Sequence, residues 1–133
     1  MSARLEAASK QFNVQLLLSD AFVKQLYSSR MKADCRPLDV VTVKGSTEPV
    51  TLYTYQKCEY PSTMTVEQTN DFTIHWLEAF DSYVEGNWKN TRTAIAKCLI
   101  AHPEDGPCQT MLRTIKQNEA PHDWKGYRAL TSK

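Results

Sequence analysis

The sequence lacks a long apolar run, a paired-cysteine motif and an excess of charge of either sign. No stretch of the 133 residues approaches the roughly 18 apolar residues of a membrane-spanning helix. The N-terminus has no apolar signal-peptide region. Sixteen Lys and Arg against fifteen Asp and Glu give a formal net charge of +1, which argues against broad binding to nucleic acid or to an anionic membrane. We therefore predict an intracellular protein on the cytoplasmic side, with no membrane span in this chain; whether a longer parent protein is anchored to a membrane stays open.

The cysteines do not form a metal-binding or disulfide framework. They stand far apart, without CxxC spacing, and the three histidines form no pattern with them; these residues are Cys35, Cys58, Cys98, Cys108, His75, His102 and His122. A zinc site would need closely paired ligands. We predict buried or free thiols in a reducing compartment and no metal site in the chain itself.

Enough apolar and aromatic residues are present for a packed core. Hydrophobic residues make up 41% of the chain, with three Trp and six Tyr. This composition excludes a disordered chain. The length fits one domain, or two small pieces.

The first half has the pattern of mixed helix and strand. Residues 2–11 are good helix formers, 14–18 form a short apolar run of strand length, and 21–27 have helical spacing after Ser19 and Asp20. Residues 38–44 and 50–55 are rich in β-branched residues and are joined by a loop containing Gly and Pro. We predict helix, strand, helix and antiparallel hairpin over residues 1–57.

The second half has the pattern of a helical extension. Residues 58–70 have no sustained period and are predicted to be a linker, and residues 71–133 a helical extension. Gly86 and Asn87 separate the first helix from the second, and Asp105 begins a third. Two apolar stripes at helical spacing run along the first two helices: Phe72, Trp76, Ala79, Phe80 and Tyr83, then Trp88, Thr91, Ile95, Cys98 and Leu99.

This helical hairpin resembles one tetratricopeptide-type repeat. The resemblance depends on small, aromatic and Pro residues near that repeat's positions: Ala79, Gly86, Trp88, Ile95, Cys98 and Pro103. Two interpretations stay open. The aromatic residues are the core of a helical hairpin, or helices 71–117 form a groove that binds a protein partner.

The first half resembles the class III nucleotide cyclases. The motifs are Ala-Arg-Leu-Glu at 3–6, the strand end Leu18-Ser19, and Val-Lys-Gly at 43–45 followed by Pro49-Val50. They cover residues 1 to about 56 in the order found in the last third of the cyclase catalytic domain. The resemblance implies an α+β fold, a partial cyclase-type (ferredoxin-like) domain followed by a small tetratricopeptide-like extension. The tail, from Tyr83 to Gly126, is similar to the extension of some bacterial and protist members.

The resemblance also implies roles for two cations. Arg4 takes the place of the catalytic arginine that stabilises charge developing on the phosphates. Lys44 takes the place of the lysine that contacts the triphosphate.

In the family, the metal-binding aspartates and the phosphate loop lie upstream of the matching region. Cyclisation by the complete parent enzyme therefore implies Mg or Mn bound outside this chain, and the chain alone is expected to be inactive. Asp20 and Asp39 are interpreted as a helix cap and a strand-edge residue. The implied partners are a nucleoside triphosphate and either a second cyclase domain, as in a dimer, or the N-terminal catalytic segment. Adenine and guanine specificity stays open.

Two other hypotheses remain. The chain is a non-catalytic scaffold that keeps a cyclase-derived half-domain and uses its helical extension for protein contacts. Otherwise it is an α+β domain whose likeness to cyclases is accidental.

Overall fold

The protein divides into a sheet unit and a helical unit. The computed structural model describes residues 17–25, 35–42, 47–55 and 63–129. One compact unit comprises Met1–Glu59 together with Tyr127–Lys133, and the other comprises Tyr60–Gly126. The chain is thus of mixed α and β structure, as the sequence predicts.

Within the described residues, the sheet has four strands in the order β1-β3-β2-β4. Strand β3 is antiparallel to both β1 and β2, whereas β4 is parallel to β2. A single short helix, α1, follows β1 in the described part of this unit. The elements are β1 (Leu18–Ser19), α1 (Asp20–Lys24), β2 (Cys35–Thr42), β3 (Val50–Tyr55) and β4 (Arg128–Ala129).

The β2–β3 hairpin confirms the change of period in the sequence. Val41 lies opposite Val50, and Asp39 lies opposite Leu52. The register shifts between Pro37 and Asp39, so Leu38 is the extra residue of a β-bulge. Of the predicted elements before the hairpin, Leu18 is in a strand and residues 21–24 are helical. The predicted helix 2–11, residues 14–16 and residues 26–27 lie outside the described residues.

The described part of the second unit, residues 63–126, contains three helices: α2 (Val66–Glu85), α3 (Trp88–Ala101) and α4 (Gly106–Ile115). Helix α2 begins five residues before the predicted start, within the predicted linker. A capping box explains this start: the Gln68 N–H donates to Thr65 Oγ1 at 3.0 Å, and the Thr65 N–H donates to Gln68 Oε1 at 2.9 Å. This reciprocal pair satisfies two backbone donors that a helix start otherwise leaves unpaired.

At the two breaks between them, the helices end and begin at the residues that the sequence predicts. Gly86 adopts a φ of 91° at the C-terminus of α2, and its N–H donates to the Tyr83 carbonyl at 3.2 Å. Asn87 then caps α3 by accepting from the Asn90 N–H. Asp105 caps α4 by accepting from the Cys108 N–H at 2.9 Å. Only glycine adopts the left-handed conformation at the first break without strain.

The core of the helical unit contains the two predicted stripes. The buried side chains from α2 and α3 include Phe72, Trp76, Ala79, Tyr83, Trp88, Thr91, Ile95 and Cys98, whereas Phe80 and Leu99 are half-buried. Trp88 and Trp124 each donate their indole N–H to the Tyr83 carbonyl at 3.1 Å. The segment that carries Trp124 is thereby fixed against the turn between α2 and α3.

The C-terminal residues differ from the predicted extension over 71–133. Arg128 and Ala129 pair with Val41 and Thr42 as the parallel strand β4, so the chain returns to the sheet unit after the helices. A two-residue strand has no periodicity of its own, and its pairing depends on contacts with residues almost ninety positions earlier.

Candidate functional site

The two sequence-predicted site residues, Arg4 and Lys44, lie outside the described residues. The hairpin that contains Lys44 is described up to Thr42 and again from Thr47. Among the described residues, the candidate site consists of sheet residues that strand pairing places on one face.

One face of the sheet carries buried polar side chains. Residues directly paired across strands share a face, so Arg36 lies on the same face as Thr54, and Asp39 on the same face as Leu52. Arg36 and Asp39 are three positions apart, which would place them on opposite faces of a regular strand. Because Leu38 is an extra residue in β2, Arg36 and Asp39 lie on the same face. Arg128 also lies on this face, because it pairs with Val41, two positions after Asp39.

An ion pair joins two strands on this face. Arg128 Nε donates to Asp39 Oδ2 at 2.8 Å, and the other carboxylate oxygen accepts from the Val40 N–H at 2.8 Å. The Asp39 side chain is 5% exposed and that of Arg128 27%. A charge held this deeply depends on its partner, because an uncompensated buried carboxylate is strongly destabilising. The pair therefore holds β4 against β2.

Arg36 brings a second guanidinium to the same face. Its residue exposure is 1%, and Thr54 opposite it is fully buried. A guanidinium is a planar donor fork that matches the oxygens of carboxylates and phosphates. Among the described residues this face holds two guanidinium groups and one carboxylate, all largely buried.

The prediction that Asp39 is a strand-edge residue is wrong. Asp39 lies within β2, between β3 and β4, and is nearly fully buried. The physical reason is the pairing with Arg128, which compensates its charge. A charged residue within the apolar run Leu38-Asp39-Val40-Val41 was the available signal. The identity of its partner had no sequence signal.

Metal-ligating residues do not converge in the described part of the chain. Within residues 17–25, 35–42, 47–55 and 63–129, no group of three or more His, Cys, Asp or Glu side chains could hold a metal ion. Cys35, Cys98 and Cys108 are buried thiols. No helix in the same ranges is long and apolar enough to cross a membrane.

Three aromatic rings at the turn between α2 and α3 pack against one another. Tyr83 and Trp88 stack at 6.0 Å between ring centroids, and Trp124 meets both rings edge-on at 5.4 and 5.3 Å. Because these rings pack against one another, they do not line an open groove. A separate depression of about 260 Å³ lies where α2 and α3 meet, lined by Asp71, Phe72, His75, Lys97, Ile100 and Ala101.

The comparisons with known proteins do not place the chain in a family: no family model, no curated protein and no solved structure matches it.

Proposed function

We propose that the sheet unit is the C-terminal part of a class III nucleotide cyclase catalytic domain, which converts a nucleoside triphosphate to a 3′,5′-cyclic nucleotide. The observation that supports this proposal is the order of elements. Strand β1 ends at Leu18-Ser19, helix α1 follows, and β2 and β3 form an antiparallel hairpin. The Val-Lys-Gly motif at 43–45 stands between the end of β2 at Thr42 and the start of β3 at Val50.

In this proposal Arg4 and Lys44 act on the triphosphate. The Arg4 guanidinium donates to phosphate oxygens and stabilises the charge that grows as the bond to the leaving pyrophosphate breaks. The Lys44 ammonium neutralises the triphosphate as a point charge. Mg or Mn bound by the upstream catalytic segment would activate the ribose hydroxyl. A second cyclase domain would complete the site.

Substitution of Arg4 tests the proposal in the natural protein that contains this sequence. Arg4→Ala is expected to lower kcat for cyclic nucleotide formation by about 100-fold or more, since losing one donor to a developing anion typically costs that much. Lys10→Ala is the matched control, because it removes a cation from the same predicted helix. The measurement is the rate of cyclic AMP and cyclic GMP formation with Mg and with Mn. Unchanged kcat in Arg4→Ala would contradict the assignment of Arg4.

Substitution of Lys44 separates binding from chemistry. Lys44→Met is expected to raise KM for the nucleoside triphosphate by about tenfold, because one phosphate-binding charge is lost. Steady-state kinetics over a range of substrate concentration would show this. A KM equal to that of the unsubstituted protein would remove Lys44 from the site.

A second candidate function is a scaffold that binds other proteins through the helical unit. It is favoured by large apolar side chains on the surface of α2 and α3: Val66, Ile74, Leu77 and Ile100. A natural protein that is folded but forms no cyclic nucleotide with either metal would favour this function over the cyclase.

A further inference from the structure

The outer face of α2 carries only negative charge. Five of the chain's fifteen acidic residues, and none of its sixteen Lys and Arg, lie in this helix. All five are exposed: Glu67, Asp71, Glu78, Asp81 and Glu85. No ion pair joins any of them to a residue within the described ranges.

The five carboxylates form one straight line along the helix. Together with Ile74 they occupy positions 67, 71, 74, 78, 81 and 85, separated alternately by four and three residues. Residues three and four positions apart lie on the same face of a helix, so these six side chains share one face of α2. A helix of this length is about 30 Å long, so the line offers a contact surface of that length. We call these six residues the acidic seam.

Exposed apolar side chains accompany the acidic seam. Ile74 lies within it and is 63% exposed, while Val66 and Leu77 flank it on α2. Ile100 on α3 is 84% exposed and lines the same depression as Asp71. Apolar groups grouped in this way, beside charge of one sign, are typical of an interaction surface.

The seam weakens the isolated helix. Glu67 and Asp71, like Asp81 and Glu85, are like charges four residues apart, which repel each other. Glu85 also lies in the last turn, where the helix dipole disfavours an anion. A cationic partner on this face would remove both unfavourable effects.

We propose that the acidic seam binds a basic amphipathic helix of another protein, with Lys or Arg opposite the carboxylates and an apolar residue against Ile74. Charge complementarity determines this choice of occupant. Helix α3 of a second copy is a poorer match for five carboxylates. Its Arg92 already donates to the Lys116 and Asn118 carbonyls, and Lys89 and Lys97 are its other cations.

A peptide titration tests this proposal on the whole chain. The probe is a synthetic amphipathic peptide of about 20 residues, long enough to follow the seam, with Lys and Leu at heptad spacing and a fluorescent label. Two control peptides have the same composition in scrambled order, or Glu in place of Lys. We expect saturable binding of the heptad peptide that weakens at least about tenfold between about 0.05 M and 0.3 M salt. Equal binding of either control peptide would overturn the proposal.

Substitutions locate the binding on the seam. Glu78→Gln with Asp81→Asn is expected to weaken binding at least about tenfold, and Ile74→Ser by a similar factor. The matched control is Glu104→Gln with Glu119→Gln, which removes two exposed carboxylates from the same unit outside the seam. The seam variants are expected to stay folded by circular dichroism, because removal of like charges favours the helix and Ile74 is mostly exposed. An equal loss in the control pair, or no loss in the seam variants, would overturn the proposal.

Sedimentation of the chain alone tests the competing occupant. We expect the protein without peptide to stay monomeric at the protein concentrations used in the peptide titration. Self-association that Glu78→Gln with Asp81→Asn abolishes would identify a second copy as the occupant and overturn the proposal.

Discussion

At the scale of single residues, the Asp39–Arg128 pair is the strongest candidate for a long-range contact on which the sheet depends. Arg128→Met removes the guanidinium that donates to the buried Asp39 carboxylate, and we expect the sheet to lose about 3 kcal/mol of stability. Hydrogen exchange of the β2 amides would measure the loss. Lys89→Met, which removes an exposed cation from α3, is the control and is expected to change stability by less than about 0.5 kcal/mol.

A double substitution distinguishes the pair from a general effect of Arg128. With Asp39→Asn present, the carboxylate that accepts from Arg128 is gone, so the effect of Arg128→Met is expected to shrink by about 1 kcal/mol or more. Strict additivity of the two changes would contradict a direct coupling.

Gly86 is the second residue whose identity the fold requires. Its φ of 91° is disfavoured for other residues, and an added Cβ would lie 3.2 Å from the Trp124 ring. We expect Gly86→Ala to cost about 1–2 kcal/mol, measured by denaturant unfolding followed by tryptophan fluorescence. All three tryptophans lie in the helical unit, so the signal reports on this unit. A free energy of unfolding within error of the original protein would contradict this account.

At the scale of elements, the charges of α2 act against its own stability. Glu85→Lys removes a repulsion with Asp81 and places a cation at the negative end of the helix dipole. We expect a gain of about 0.3–1 kcal/mol, seen as a higher thermal midpoint by circular dichroism. Lys89 lies in the first turn of α3, where the helix dipole favours an anion, so Lys89→Glu is expected to be neutral or stabilising. A lower midpoint for Glu85→Lys would show that the helix dipole and Asp81 are not the dominant influences there.

The helices illustrate how much the sequence can predict. Turn residues at Gly86, Asn87 and Asp105 and apolar periodicity predict the three helices and their buried faces, because these signals are local. The start of α2 was missed although Thr65 and Gln68 have the capping-box spacing, since the polar residues after Val66 conceal the apolar period. The capping box is a local signal, so the sequence contains the information that places this helix start.

The sheet illustrates what the sequence cannot predict. The hairpin follows from β-branched runs and a Gly-containing loop, both local signals. The bulge at Leu38, the parallel addition of β4 and the partner of Asp39 depend on residues distant in sequence, and no pattern within β2 specifies them. The sequence therefore does not predict the polar face of the sheet. The roles of Arg4 and Lys44 depend on the resemblance to cyclases alone.

At the scale of the whole molecule, the C-terminal residues serve both units. Trp124 and Gly126 pack on the turn after α2, and Arg128 pairs with the sheet. Deletion of residues 127–133 removes β4 and the guanidinium that donates to Asp39, so we expect faster hydrogen exchange in β2 and β3, with α3 as the internal reference. Unchanged exchange in β2 would show that β4 does not stabilise the sheet.

The two proposed functions belong to different parts of the chain. The cyclase proposal concerns the sheet unit with Arg4 and Lys44, whereas the acidic seam lies on the helical unit. Their tests are independent, since a nucleotide assay does not depend on peptide binding and the peptide titration needs no nucleotide.

We propose above all that the sheet unit belongs to a nucleotide cyclase. The most direct measurement is formation of cyclic AMP and cyclic GMP by the natural protein, isolated from its source through an antibody to this chain, with Mg and with Mn. If the sheet unit belongs to a cyclase, we expect metal-dependent production of a 3′,5′-cyclic nucleotide that stops when the metal is chelated. A folded protein of the natural length that forms neither product with either metal would contradict it.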